Sequence, residues 1–239
     1  SDTDTYLRNA AEQLARMGRL PLPPFHRRWT DGLVDRLGAP IDRYRTLLRE
    51  YPQVCPAQGI ALEEGGVALA DTLAQLRTDA QGNRLNLVLQ ASSLNSGDDL
   101  KWYHLVRQWP RHLAAQLERP TSTCLLGPET DFMLAPLNAE RAEAILRQLM
   151  TGYLEGMTDL PPLACKTAFA QLCADDERKA NPRQTYEGGY QRDGESDEHP
   201  GYSRFWPSYA ALRGDPRYTR LVDQLYRPLY RHCLRSETL

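Results

Sequence analysis

Long apolar runs are missing from this 239-residue sequence. No stretch of about 18 apolar residues occurs, so a membrane-spanning helix is not expected, and no basic-then-apolar leader of a secreted chain is present. Lysine is nearly absent. It occurs only at 101, 166 and 179, which leaves arginine as 26 (29 minus 3) of the 29 basic residues. A GC-rich genome is the plain cause, although arginine's planar fork also suits bidentate contacts with phosphate or carboxylate. A net charge of −2 excludes a global basic field that would advertise nucleic acid. The five cysteines (55, 124, 165, 173 and 233) are scattered, odd in number and without a C-x-x-C. That pattern excludes a disulfide framework and a zinc knuckle. A soluble cytoplasmic chain is expected, and the start "SDTDTYL", without methionine, suggests a domain of a longer protein.

What is present reads as helices around a few strands. Tyr6, Ala10, Leu14 and Met17 recur at helical spacing before Gly18, and "LPLPP" (20–24) forces an extended link. Phe25, Trp29, Leu33 and Leu37 mark a second stripe ended by Gly38 and Pro40. Ile41, Tyr44, Leu48 and Tyr51 mark a third, stopped by Pro52. Residues 1–52 are therefore expected to form a helical N-terminal segment and 53–239 one compact unit. In that unit, "RLNLVLQASSLN" (84–95) alternates Leu85, Leu87 and Leu89 against Asn86, Val88 and Gln90, as a strand does. The segment 66–77 fits either a strand or a helix, and "DAQGN" (79–83) is a turn signal, so a hairpin of 66–76 with 85–91 is predicted.

A helix capped near 96–99 is expected next, carrying Leu105, Val106, Trp109 and Leu113 on one face, with Pro110 interrupting it. "STCLLGPETDFML" (122–134) reads as a second hairpin, and Asn138 as the cap of a helix burying Ala142, Ile145, Leu146, Leu149 and Tyr153. Shorter helices are expected at 164–174 and after Asn181 and Pro182, then a polar acidic loop (192–201). A last helix starts at Asp215 and Pro216, with Leu221, Leu225 and Leu229 inward. The fold class is α/β: a small mixed sheet flanked by helices.

Strand, turn, strand and helix in this order resembles the core of the PD-(D/E)xK nucleases. That resemblance implies an Asp on one strand and Asp/Glu-x-Lys at the end of the next, with the acids holding Mg²⁺ and the lysine orienting attack on the phosphate. Here Ala74 falls at the first Asp, Gln90 at the Asp/Glu and Ser92 at the Lys. From 85 to 97 there is no Asp, Glu or Lys at all, so no small shift of register restores the second motif. An amide offers a neutral oxygen and cannot neutralise a divalent ion. The implied centre is degenerate, with no catalytic residue, metal ligand or cofactor expected.

The order of "GRLPLPPF" (18–25), Trp109-x-x-His112-Leu113 and "APLNAERAEAILRQLMTGYLEGMTDLPPL" (135–163) resembles the C-terminal domain of RecC. The likeness continues through "TYEGG" (185–189), Gly194-Glu195 and Tyr202-x-Arg204. RecC is the gamma subunit of the RecBCD helicase–nuclease, exodeoxyribonuclease V. The resemblance implies a domain kept for architecture in double-strand-break repair and homologous recombination. Such a domain contacts RecB- and RecD-type subunits, handles DNA and carries a pin that splits the duplex. The tips at 79–83 and 127–130 are candidate pins.

Single residues have plainer readings beside sharper ones. His104 and His112 resemble ligands but lack a third, which favours packing. Trp102, Tyr103 and Trp109 with Arg107 and Arg111 suit base stacking and phosphate contact, though Trp109 fits a core position better. Arg27 and Arg28 in "HRRWT" suit phosphate or a partner, or only a solvated face. Two rival functions remain: a divergent metal-dependent nuclease recruiting Glu63, Asp71 or Asp98, and a helical interaction domain in which 66–77 is a helix.

Overall fold

Helical periodicity and strand alternation resolve, in a computed structural model, into the following elements, described over residues 2–19, 25–97, 99–190 and 192–236. In chain order they are α1 (Asp2–Arg16), α2 (Phe25–Glu50), β1 (Gln53–Val54), β2 (Gln58–Glu64), β3 (Val67–Leu73), β4 (Arg77–Thr78), β5 (Arg84–Leu89), β6 (Asn95–Ser96) and β7 (Asp99–Leu100). Then come α3 (Trp102–Gln116), β8 (Thr121–Leu126), β9 (Asp131–Leu134), α4 (Ala139–Thr158), α5 (Cys165–Asp175), α6 (Pro182–Glu187) and α7 (Glu195–Glu198). The chain ends with α8 (Pro200–Phe205), α9 (Tyr209–Gly214), α10 (Tyr218–Leu221), a π-helical turn (Val222–Tyr226) and α11 (Arg227–Ser236). The expected link at 20–24 lies outside the described residues. The α/β class with a small mixed sheet holds. Two compact units divide the chain: 1–56, 75–100 and 122–133 in the first, the remaining segments in the second.

The first unit is built on a five-stranded sheet of order β1-β4-β5-β8-β9, with β1, β4 and β5 antiparallel. The face of α2 bearing Tyr44, Leu47 and Tyr51 packs on Leu85, Cys124 and Leu126. Two expectations change here. Helix α2 runs without a break through Pro40, since a proline removes one hydrogen bond without ending a helix whose far half is anchored by packing. In α1 the buried face is Thr3, Leu7 and Ala11, while Tyr6 and Met17 are 68% and 70% exposed. Both sets share helical spacing, and the one carrying Thr3 wins because its hydroxyl meets Asp42 on α2.

The second unit holds the β2–β3 hairpin and most of the helices. Residues 67–73 are a strand, which removes the reading of 66–77 as a helix, but β3 pairs with β2 and not with β5. The predicted hairpin of 66–76 with 85–91 is thus replaced by two: β2 with β3 through Gly65 and Gly66, and β4 with β5 through 79–83. Gly65 (φ 57°) and Gly66 (φ 84°) supply the left-handed pair that a two-residue hairpin turn demands. Helix α3 starts at Trp102, after the small β6–β7 hairpin, and not at 96–99; Pro110 lies within it. On α4, Asn138 Oδ1 accepts the Arg141 N–H at 3.2 Å as expected, whereas Tyr153 is 61% exposed.

Candidate functional site

Strand β5 carries the question posed by the sequence. It is the middle strand of its sheet, and its first half is buried on both faces: Arg84, Leu85 and Asn86 are all inaccessible. The alternation of leucines therefore marks one covered face but not the burial of the other, where Asn86 Nδ2 reaches Thr123 Oγ1 at 3.4 Å on β8. Burial fades toward the C-terminal end, where Leu89 is 46% exposed. There the backbone N–H of Gln90 donates to the Leu126 carbonyl at 2.9 Å, carrying the strand pairing one residue further. The Gln90 side-chain amide donates to Ser92 Oγ at 2.7 Å.

Gln90 and Ser92 are thus brought together in the first unit. Ala74 ends the segment 57–74, which belongs to the second, and its carbonyl accepts Arg111 Nη2 at 2.7 Å. Glu63 and Asp71 lie on opposite strands of the β2–β3 hairpin, and both are exposed. Asp98 lies outside the described residues. Among the described residues, no three His, Cys, Asp or Glu side chains gather where they could hold a metal ion.

The candidate contact residues divide between the two units. Arg27 and Arg28 are exposed on the first turn of α2, in the first unit. Arg107 and Arg111 lie on α3, in the second. Arg107 is exposed with its guanidinium 6.0 Å above the Tyr103 ring, whereas Arg111 is engaged by the Ala74 carbonyl. Trp109 is buried in the core and Trp102 stacks on Phe169 with centroids 4.5 Å apart, so neither ring is open to a base.

His104 and His112 are both buried. His112 stacks beside Trp109, lies 5.6 Å from the His232 ring, and has Nε2 3.1 Å from the Ala135 carbonyl. Burial, reinforced by His232, pulls its pKa down to about 3, so the ring is neutral at physiological pH and acts in packing.

Two groupings escaped the sequence reading. A groove of about 500 Å³ in the first unit runs between α2 and β8–β9, lined by Thr46, Leu47, Cys124, Phe132 and Met133, with Arg43 and Asp131 joined across it at 2.8 Å. Burial, with the Asp131 charge, raises the Cys124 thiol to about 11, which keeps it protonated and unreactive. The second is Glu195, expected in an acidic loop but buried at the head of α5. Its Oε1 accepts the Lys166 N–H (3.0 Å), and its Oε2 accepts the Thr167 N–H (2.8 Å) and Thr167 Oγ1 (2.9 Å). Only tertiary structure pairs a residue with a helix 28 positions upstream. All five cysteines are free thiols.

A profile of the RecC C-terminal domain family matches residues 3–176, well over half of the chain. The chain belongs to that family. A comparison with curated proteins finds no match. The matched span of this RecC C-terminal domain takes in both units' strands and α3 to α5, while "TYEGG" and Glu195 lie beyond its end.

Proposed function

We propose that this RecC C-terminal domain is a catalytically silent, nuclease-derived module that serves assembly and DNA handling in a RecBCD-type helicase–nuclease. Family membership associates the chain with RecBCD-type DNA-repair complexes and exodeoxyribonuclease V. The finer reading is a PD-(D/E)xK-like domain that contacts RecB- and RecD-type subunits in the cytoplasm and helps split duplex DNA. Its support is topological and chemical. With the β2–β3 and β6–β7 hairpins counted as insertions, the order helix, three antiparallel strands, helix, strand, with the last strand beside the third, is that of α2, β1, β4, β5, α3 and β8 in the sheet order β1-β4-β5-β8. The single observation that carries the silent role is the tip of β5, where the positions expected to hold an acid and a lysine are Gln90 and Ser92, hydrogen-bonded to one another. That pair offers neutral oxygens only, too little to bind Mg²⁺ against its hydration. Exposed Arg27, Arg28 and Arg107 are the proposed contacts to DNA phosphate or partner carboxylate. The absence of any helix among the described residues long and apolar enough to cross a membrane, together with five free thiols, fits the cytoplasmic placement.

Co-purification with RecB- and RecD-type subunits tests the assembly role: a ternary complex is expected, and failure of a folded sample to bind either subunit overturns it. Incubation with single- and double-stranded DNA plus Mg²⁺ or Mn²⁺ tests silence. Cleavage lost on Asp71→Ala or Glu63→Ala would instead establish a divergent active nuclease.

A further inference from the structure

In the second unit a cavity of about 60 Å³ opens where α5, α9, α10 and the π-helical turn meet, lined in part by Gln171, Asp175, Arg213, Tyr218, Asp223 and Arg227. Tyr218 is only 2% exposed, and its hydroxyl has no hydrogen-bond partner in the protein. Buried phenols are rarely left so, because losing water without replacement is costly. The neighbouring polar groups are committed elsewhere. Gln171 donates to Asp175 Oδ1 at 2.5 Å and accepts from the Tyr209 hydroxyl. Arg227 is held by Asp223 at 2.6 Å and faces Asp175 at 3.6 Å.

We propose that this cavity is a site for ordered water, one or two molecules, that accept the Tyr218 O–H and donate onward to Asp175 or Asp223. The cavity has room for water, and a buried water needs two to four polar partners, which the lining supplies. Asp175 and Asp223 stand against Arg213 and Arg227, so the lining carries no net charge to hold a phosphate-sized anion or a divalent cation, and no third acidic or imidazole ligand is among the lining residues. Water alone is small enough and can both accept from a phenol and donate to a carboxylate. Val222 and Asp223, the first residues of the π-helical turn, contribute to the wall, so the wider turn and the hydrated pocket form one feature.

Crystal structures of the 239-residue chain and of Tyr218→Phe, each at about 1.5 Å resolution, test the site. The expected result is a water about 2.7 Å from Tyr218 Oη that also reaches Asp175 or Asp223 and vanishes in the variant. A dry cavity in the parent, a hydroxyl bonded directly to protein, or a water indifferent to the substitution overturns the proposal. Should Tyr218→Phe not fold, rotating-frame magnetisation transfer from water to the Tyr218 ring protons of the parent decides: a resolved cross-peak supports the site, and its absence refutes it.

Discussion

Replacing Glu195 by alanine should loosen the head of α5 more than any surface substitution in the second unit. The buried carboxylate accepts two backbone N–H groups of the first helical turn and one hydroxyl. These are donors that the helix cannot satisfy itself. Each hydrogen bond to a charged acceptor is worth about 1.5–3 kcal/mol, and the carboxylate also complements the positive end of the helix. Partial rescue by water at the opened site lowers the sum, so Glu195→Ala is expected to cost about 3–5 kcal/mol. Glu195→Gln keeps one acceptor oxygen and should cost roughly half as much. Because a two-unit chain need not unfold in a single step, the local readout is hydrogen exchange at the Lys166 and Thr167 amides. Exchange there should quicken by about 10²–10³-fold in the alanine variant, following tenfold per 1.4 kcal/mol. An unfolding free energy from urea melts within about 1 kcal/mol of the parent, with both amides still protected, would refute the assignment of Glu195 as the cap.

His112 makes stability depend on acid. Its folded pKa of about 3 lies below the unfolded value of 6.5, so the unfolded chain binds the extra proton, and stability contributed by the neutral ring, complete above pH 6.5, is lost as pH falls toward 3. Between pH 6.5 and 5 that loss is about 2 kcal/mol, and urea melts at the two values should show it in the parent but not in His112→Phe. At the β2–β3 turn, Gly66→Ala should cost about 1–2 kcal/mol for its left-handed backbone alone, since nothing lies near the added methyl. Gly65→Ala should cost more, because its methyl would come within 2.8 Å of Leu154 Cδ1 on α4; equal thermal shifts for the two variants would contradict that packing.

Local rules read well where the determining partners are close in sequence. Asn138 and Asn181 cap the helices they precede, and Asp79 closes the 79–83 turn by accepting from the Gln81 and Asn83 backbone N–H groups. Leu105, Trp109 and Leu113 form the buried stripe of α3. The failures share one cause, a partner far along the chain. Two stripes of α1 have the same spacing, and the one carrying Thr3 is fixed by Asp42 and Arg45 on α2. Strand β3 alternates well enough to pair with β5, but its partner is β2 ("QGIALEE"), across the Gly65–Gly66 turn. The neutrality of Gln90 is a matter of residue chemistry alone: no fold can make an amide anionic.

The scarcity of lysine acquires a structural meaning beside that of genome composition. Arginine after arginine spends its fork on two acceptor groups at once. Arg43 joins the Gly127 carbonyl to the Asp131 carboxylate, and Arg77 joins the Tyr51 and Pro52 carbonyls. Arg147 ties the Glu63 carbonyl on the β2–β3 hairpin to Glu143 on α4, and Arg217 links Asp159 to Asp215, whose carboxyl it holds down at about 2. A lysine's single ammonium cannot span two fixed acceptors in one plane. These four arginines are joints, each within its own unit, and need no phosphate to explain them. Arg27, Arg28 and Arg107 are among the exposed arginines outside these joints, and they are the ones proposed for partner contact. The same logic governs the tip of β5, where the Gln90 amide donates to Ser92 Oγ and the polar chemistry of the strand end is satisfied locally.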